Sequence, residues 1–390
     1  MDIDELRSDT PGCANVAHLN NAGAALPPRP VIDAVTAHFA LESTIGGYEA
    51  AERNAAALAH FYDAVAGLIG AHADEIAYVE NATRAWDMAF FAIPFADGDR
   101  ILTTTSEYAS NAIAYQQVVA AKGVRVEAVP DEPDGTLSLD ALEAELSKGG
   151  VRLVSLNHVP TYNGLVNPVA EVGRLCREHG VLYLLDACQS VGQLTVDVNE
   201  IGCDMLSATG RKFLRGPRGT GFLYVRRDIV RTLEPPFLDL HSATWRSPNH
   251  VEVRQDAIRF ETWERYTAGQ IALGVAADYA ANLGMPAIET RVIGLAQQLR
   301  TELAARPGTT VLDKGVRPSG IVTFTVDGHD AADIKRAALE RGVNVSVASP
   351  ISHGYDPHAL PSAVRASVHY YNNENDLDRL LSVLPAAPPG

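Results

Sequence analysis

The chain has 390 residues, more than one ordinary core needs, and 46% of them are hydrophobic, which excludes global disorder. Its 32 basic and 48 acidic side chains leave a formal net charge of −16. A surface of that sign repels nucleic-acid phosphates and anionic membranes, so the expected partner is a small molecule.

The first residues, Met-Asp-Ile-Asp-Glu-Leu-Arg, lack the basic and apolar regions of a signal peptide, and no apolar run approaches the roughly 18 residues of a membrane span. Cys13, Cys176, Cys188 and Cys203 form neither a CxxC pair nor a regular framework, which fits a reducing compartment. A soluble, cytoplasmic protein is expected.

In chain order, a short N-terminal segment (1–15) precedes a region (16–280) in which β-like runs alternate with amphipathic helical stretches. Strands are predicted at 76–79, 100–104, 124–129, 151–157, 181–186, 205–207 and 221–225. Helices are predicted between them at 82–93, 111–121, 139–146 and 169–179. Such alternation predicts an α/β fold, a mostly parallel sheet covered by helices on both faces, with ligands at the carboxyl ends of the strands. Helices at 268–283 and 286–306 follow. A smaller α+β domain (281–390) is then expected, with strands near 320–326 and 343–347, a helix at 331–341, the segment 364–370 and a last helix from Glu374.

Only five lysines occur: Lys122, Lys148, Lys212, Lys314 and Lys335. Lys212 alone lies in a Gly/Pro-rich loop between apolar strands, Ser207-Ala-Thr-Gly-Arg-Lys212-Phe-Leu-Arg-Gly-Pro. Neighbouring cations lower an amine's pKa, as attack on an aldehyde requires. Taken by itself the segment fits a basic surface loop equally well. Asp186 ends the apolar run Val181-Leu-Tyr-Leu-Leu and precedes Ala-Cys-Gln189. A carboxylate there is either a helix cap or the partner of a buried cation such as a pyridinium nitrogen. Asp followed twenty-six residues later by Lys, each at a strand end, favours the second.

These motifs resemble the class V aminotransferase-fold enzymes, the group of cysteine desulfurases, selenocysteine lyases and isopenicillin N epimerase-like proteins. The resemblance runs from His18-Leu-Asn-Asn-Ala-Gly-Ala to Val364-Arg365-Ala-Ser. It implies a fold type I architecture with a seven-stranded large domain, pyridoxal 5′-phosphate (PLP) carried on Lys212, and a homodimer with shared active sites. It also implies residue roles. Asn81, Ala82 and Thr83 open a helix that binds the cofactor phosphate, consistent with the anion affinity of helix N-termini. Thr209 and Arg211 contact the same phosphate, Asp186 pairs with the ring nitrogen, and Gln189 donates to the ring's phenolate oxygen. Arg365 clamps the substrate carboxylate.

Departures from the desulfurase pattern bear on the substrate. Tyr108 stands where desulfurases stack a histidine on the ring, and Thr161 where many relatives place an asparagine. His158, in His-Val-Pro-Thr-Tyr-Asn-Gly, is read either as a cofactor contact or simply as a polar strand end. Trp263 and Glu264, in Phe260-Glu-Thr-Trp-Glu-Arg265, are expected to shape a pocket wall or the partner's phosphate cup, and Tyr48, in Ile45-Gly-Gly-Tyr, and Thr161 are expected to contact the substrate. No cysteine occurs between Cys203 and the C-terminus, so the loop 345–356 lacks the thiol on which desulfurases form a persulfide. The pattern is similar to the branch holding the ergothioneine-pathway C–S lyase and the lincosamide cysteinyl-processing enzymes. It implies β-elimination from an S-substituted L-cysteine to thiol, pyruvate and ammonia. Decarboxylation-coupled oxidative deamination, transamination, epimerisation and a non-catalytic binding module remain the alternatives.

Overall fold

Residues next to each other along the central strands belong to opposite apolar layers, so this sheet is buried on both faces. The computed structural model describes residues 1–349, 355 and 361–386. Its largest sheet contains β1 (Ile76–Val79), β2 (Arg100–Thr104), β3 (Arg125–Val129), β4 (Val151–Asn157), β5 (Leu182–Asp186), β6 (Met205–Thr209) and β7 (Gly221–Val225), in the order β1-β7-β6-β5-β4-β2-β3. Strands β2 to β6 pair in parallel, while β7 runs antiparallel to β6 and β1. Ile101, Leu153, Leu184, Met205 and Leu223 face a layer containing Trp86, Phe90 and Tyr115. Their neighbours Leu102, Val154, Leu185, Leu206 and Phe222 face the layer built from Phe61, Val172 and Leu273. A period of two with both sides apolar is what a central parallel sheet requires.

The predicted strands are all present, with β6 two residues longer than expected. The expected helix at 82–93 ends at Phe90, and the last helix spans Glu374–Val383. Besides the short helix Ile3–Ser8, three helices not expected from the sequence, Arg29–Ile45, Gly47–Arg53 and Ala55–Ile69, lie before β1. The first and third pack on the Thr267–Leu283 helix. A four-stranded antiparallel sheet follows, formed by β8 (Thr309–Val311), β9 (Ile321–Val326), β10 (Ser346–Ala348) and β11 (Ala363–Ser367), in the order β8-β9-β11-β10. The predicted strand at 343–347 is split: Val343–Asn344 pairs in parallel with Ala17–His18, near the start of the chain. Among the described residues no single helix is long and apolar enough to cross a membrane.

Candidate active site

The carboxyl ends of β4 and β5 place Asn157 and Asp186 side by side; Asp186 pairs with Ser207 on β6, which runs two residues further to Thr209, and the Lys212 loop follows directly. A cavity there is lined by Asn81, Ala82, Thr83, Ser106, Tyr108, Asn111, Asn157, Thr161, Asp186, Cys188, Gln189, Thr209, Arg211 and Lys212, among others. The helix Ala82–Phe90 begins at its edge, with the Asn81 side chain accepting from the Arg84 N–H at 2.9 Å. That cap leaves the N–H groups of Ala82 and Thr83 without intrahelical acceptors, aimed where an anion is favoured. Gly221 makes the close approach possible: a Cβ there would lie 3.0 Å from the carbonyl carbon of Asn81 and 2.6 Å from the Ala208 oxygen.

Lys212 is buried at 8% exposure. Burial pushes its amine below the usual lysine range; Arg211 and Arg365 act in the same sense, against Cys188 and Asp186. Asp186 accepts from the Cys188 N–H at 2.9 Å, from Asn157 Nδ2 at 2.9 Å and from Asn111 Nδ2 at 3.1 Å. Burial raises its carboxyl above the usual range, while those donors and Lys212 favour the anion. Three donors around a buried carboxylate leave it poised for one more, cationic, partner.

Gln189 donates both amide hydrogens, to Ala22 O and to Thr161 Oγ1, each at 3.1 Å, and its buried Oε1 has no partner. The donation to a ring oxygen expected of Gln189 is therefore directed elsewhere in this arrangement. Thr161 Oγ1 also accepts from Arg365 Nη1 at 2.6 Å, which links the two residues across the site. With both lone pairs engaged, its own hydroxyl hydrogen is the group left to donate. Arg365, on β11, forms no ion pair among the described residues, and burial lowers its guanidinium to about 10. Its Nη2 reaches Asn20 Oδ1 at 3.4 Å, and Arg211 donates to Gly23 O.

Three expected site residues lie elsewhere in this chain. His158 is buried but does not line the cavity; its charged neighbours are Arg317 and Glu289. Its backbone is held by β5 (N–H to Asp186 O, 2.9 Å), while the preceding residue, Asn157, supplies the side chain at the site. Tyr48 and Trp263 meet at a second, open cavity with His241 and Arg265, and are 77% and 54% exposed. Conversely, the sequence reading gave no role to Glu107, Asn111 or Asn157. Asn157 ends an apolar strand just as Asp186 does, and that shared signature was available. The loop stretch at 350–354 and 356–360 lies outside the described residues.

The donor set suits an aromatic aldehyde bearing a phosphate. The buried Lys212 amine, its pKa lowered by desolvation, would meet the aldehyde, the buried Asp186 carboxylate the ring nitrogen, and the helix N-terminus near Thr209 the phosphate. The orphaned Gln189 Oε1 and Arg365 Nε mark the polar partners such a site still takes up.

Comparison with known proteins agrees. The Aminotransferase class-V family matches residues 17–380, so the chain belongs to that family and is a PLP-dependent enzyme. A probable cysteine desulfurase of Methanothermobacter thermautotrophicus is 28% identical over 97% of this chain and 96% of its own length. A cysteine desulfurase of an Enterobacter species is 30% identical, covering 98% and 97%. The apo cysteine desulfurase of Thermococcus onnurineus superposes with a TM-score of 0.90 at 25% identity, covering 98% of this chain and 97% of its own.

Proposed function

We propose that the chain is a β-eliminating C–S lyase that converts an S-substituted L-cysteine and water into the free thiol, pyruvate and ammonia. The observation that carries this is the absence of any cysteine after Cys203. Relatives named as cysteine desulfurases favour a sulfur-bearing amino acid as substrate. The remaining thiols are poor sulfur acceptors. Cys176 and Cys203 are buried and pushed well above the usual thiol range by desolvation. Cys188 lines the cavity, but burial raises its thiol too, against the opposing effect of Lys212. A thiol held protonated does not take up a sulfane sulfur.

Bound PLP supplies an electron sink for charge developing at the substrate Cα. Ala82, Thr83 and Thr209 hold its phosphate, and Asp186 faces its ring nitrogen. Lys212, its amine pKa lowered by burial, would be the base that removes the Cα proton. Arg365 and the Thr161 hydroxyl bind the substrate carboxylate and so orient the Cα–H bond. Tyr108, 38% exposed at the cavity, covers one side of it. The thiolate leaves from Cβ with the electron pair of the C–S bond.

The same reading includes a homodimer. Phe39, Tyr48 and Trp263 are 64%, 77% and 54% exposed around the open cavity that holds Arg265, which suits cover by a second copy. Aromatic side chains brought to each other's sites would suit a bulky S-substituent, as in secondary-metabolite or low-molecular-weight thiol biosynthesis of the lincosamide or ergothioneine kind. The test is mass spectrometry of products from a panel of S-substituted cysteines. Thiol, pyruvate and ammonia in equal amounts without oxygen uptake support elimination. Oxygen uptake with carbon dioxide and an S-linked aldehyde selects oxidative deamination instead, and dependence on a 2-oxo acid selects transamination.

A further inference from the structure

A second carboxylate lies directly behind Asp186. Glu107 is fully buried, does not line the cavity and forms no ion pair among the described residues. Four donors surround it: Thr103 Oγ1 and Tyr115 Oη on Oε2, both at 2.7 Å, and the Tyr108 N–H (2.7 Å) and Asn111 Nδ2 (2.9 Å) on Oε1. Two of these, the backbone amide and the Asn111 amide, can only donate. Four donors on the two oxygens favour the anion, and the two hydroxyls on Oε2 are the ones that can also turn to accept.

Two bridges join Glu107 to Asp186. Asn111 gives one amide hydrogen to Glu107 and the other to Asp186 Oδ2. The Tyr108 N–H is shared between Glu107 Oε1 and Asn157 Oδ1 (3.1 Å), and Asn157 Nδ2 then donates to Asp186. With a carboxylate oxygen at each end, reversing the Asn111 amide would set oxygen against oxygen, so its orientation is determined by the pair. The bridging distances place the facing oxygens no more than about 6 Å apart.

We propose that Glu107 is a positioning residue: its negative charge fixes the Asn111 amide on Asp186 and adds to the field that keeps the cofactor's ring nitrogen protonated. This rests on Asp186 facing that nitrogen. Burial raises the Glu107 carboxyl to about 7, with Asp186 acting in the same sense against the hydrogen bonds from Thr103, Tyr115 and Tyr108. The other titratable groups facing it are Tyr115, on the Ala109–Lys122 helix, and Tyr355, whose hydroxyl is raised by burial and by Glu107. Glu107 therefore changes charge near neutral pH. Below that range the added field is lost while the packing stays.

Glu107→Gln separates charge from structure. Its oxygen accepts from Tyr108 and Asn111, and its amide donates to Thr103 and Tyr115, whose hydroxyls turn round to accept. The holoenzymes of the parent, Glu107→Gln and Asp186→Asn are reconstituted with ring-¹⁵N-labelled PLP, and the nitrogen shift is followed with pH. In Glu107→Gln, PLP content is expected to match the parent, with the ring-nitrogen protonation midpoint lower by on the order of one pH unit. Tyr115→Phe removes one donor from the Glu107 anion without changing the ring's packing. It is expected to shift the midpoint the same way by less, and it carries the test if Glu107→Gln does not fold. An unchanged midpoint in Glu107→Gln and Tyr115→Phe, beside a lowered one in Asp186→Asn, overturns the role given to Glu107. An unchanged midpoint in Asp186→Asn overturns the Asp186 pairing itself.

Discussion

Replacing Asp186 by asparagine isolates the charge at the carboxyl end of β5. In the parent, Oδ1 accepts from Cys188 N–H and Oδ2 from Asn111 and Asn157. An asparagine oxygen turned toward the two amides keeps two of those bonds and leaves its own NH₂ against the Cys188 N–H. The Cys188 N–H and the facing amide N–H then both lack acceptors, at about 1–3 kcal/mol each, partly offset because a desolvated charge is removed. The unfolding free energy of the apoprotein should therefore fall by about 2–6 kcal/mol less that offset. Cofactor binding suffers separately. A hydrogen bond to a charged group contributes about 1.5–3 kcal/mol, so PLP affinity should fall by about ten- to a hundred-and-fifty-fold. Equilibrium dialysis against PLP measures that loss, and urea unfolding of the apoprotein measures the other. If the variant binds PLP as tightly as the parent, Asp186 does not face the ring nitrogen.

Arg365→Ala should raise KM at least ten-fold with a smaller change in kcat, because the carboxylate stays on the substrate throughout elimination; an unchanged KM removes the clamp. Replacing Cys13, Cys176, Cys188 and Cys203 by alanine should leave turnover per folded molecule within a few-fold of the parent, and a persulfide trapped on any of them in the parent would contradict a lyase. His158 is held neutral, burial lowering its pKa from 6.5 to about 3. Between those values the unfolded chain binds the extra proton, so its contribution is intact above about pH 6.5 and is lost on acidification. The slope is up to about 1.4 kcal/mol per pH unit. Urea midpoints at pH 7 and pH 5 should differ less in His158→Met than in the parent; an equal difference shows that His158 titrates normally.

How legible each part was in the sequence depended on whether its partner was close along the chain. The seven central strands are short apolar runs closed by polar residues, and all were readable. The helix Arg29–Ile45 was not: its apolar positions are broken by His38, Glu42 and the doublet Ser43-Thr44, and it is organised by packing on Thr267–Leu283, over two hundred residues away. The site divides the same way. Asp186 ends β5, and Lys212 lies in the loop just after the adjacent strand β6. Glu107 and Asn111 acquire meaning only once β2 and β5 are aligned, which spacing alone cannot reveal. Tyr48 and Trp263 line one cavity, but away from Lys212, because a linear pattern does not say which strand ends and loops the fold brings together.

The Lys212 loop shows why site and fold cannot be separated here. Arg215, three residues on, has a positive φ of 62°, and its N–H closes a turn on Lys212 O at 2.9 Å. Its guanidinium is buried without a carboxylate partner among the described residues. It donates instead to Leu26 O, Tyr370 Oη and Thr10 Oγ1 at 2.8, 2.8 and 2.6 Å, with the rings of Tyr279, Tyr370 and Tyr371 within 5.8 Å. Charge–ring contacts of this kind contribute about 2 kcal/mol or more when desolvated, and a planar fork satisfies three acceptors at once where an ammonium would not hold the same directions. Thr10 and Leu26 come from the start of the chain, Tyr370 from its end, and Arg365 lies on the strand just before Tyr370. One buried cation thus ties the Lys212 loop to the N-terminal segment and to the chain just beyond the strand that carries Arg365. The distance between the Lys212 amine and the Arg365 guanidinium is therefore set by core packing rather than by surface loops, as the proposed selection of one bond at Cα requires.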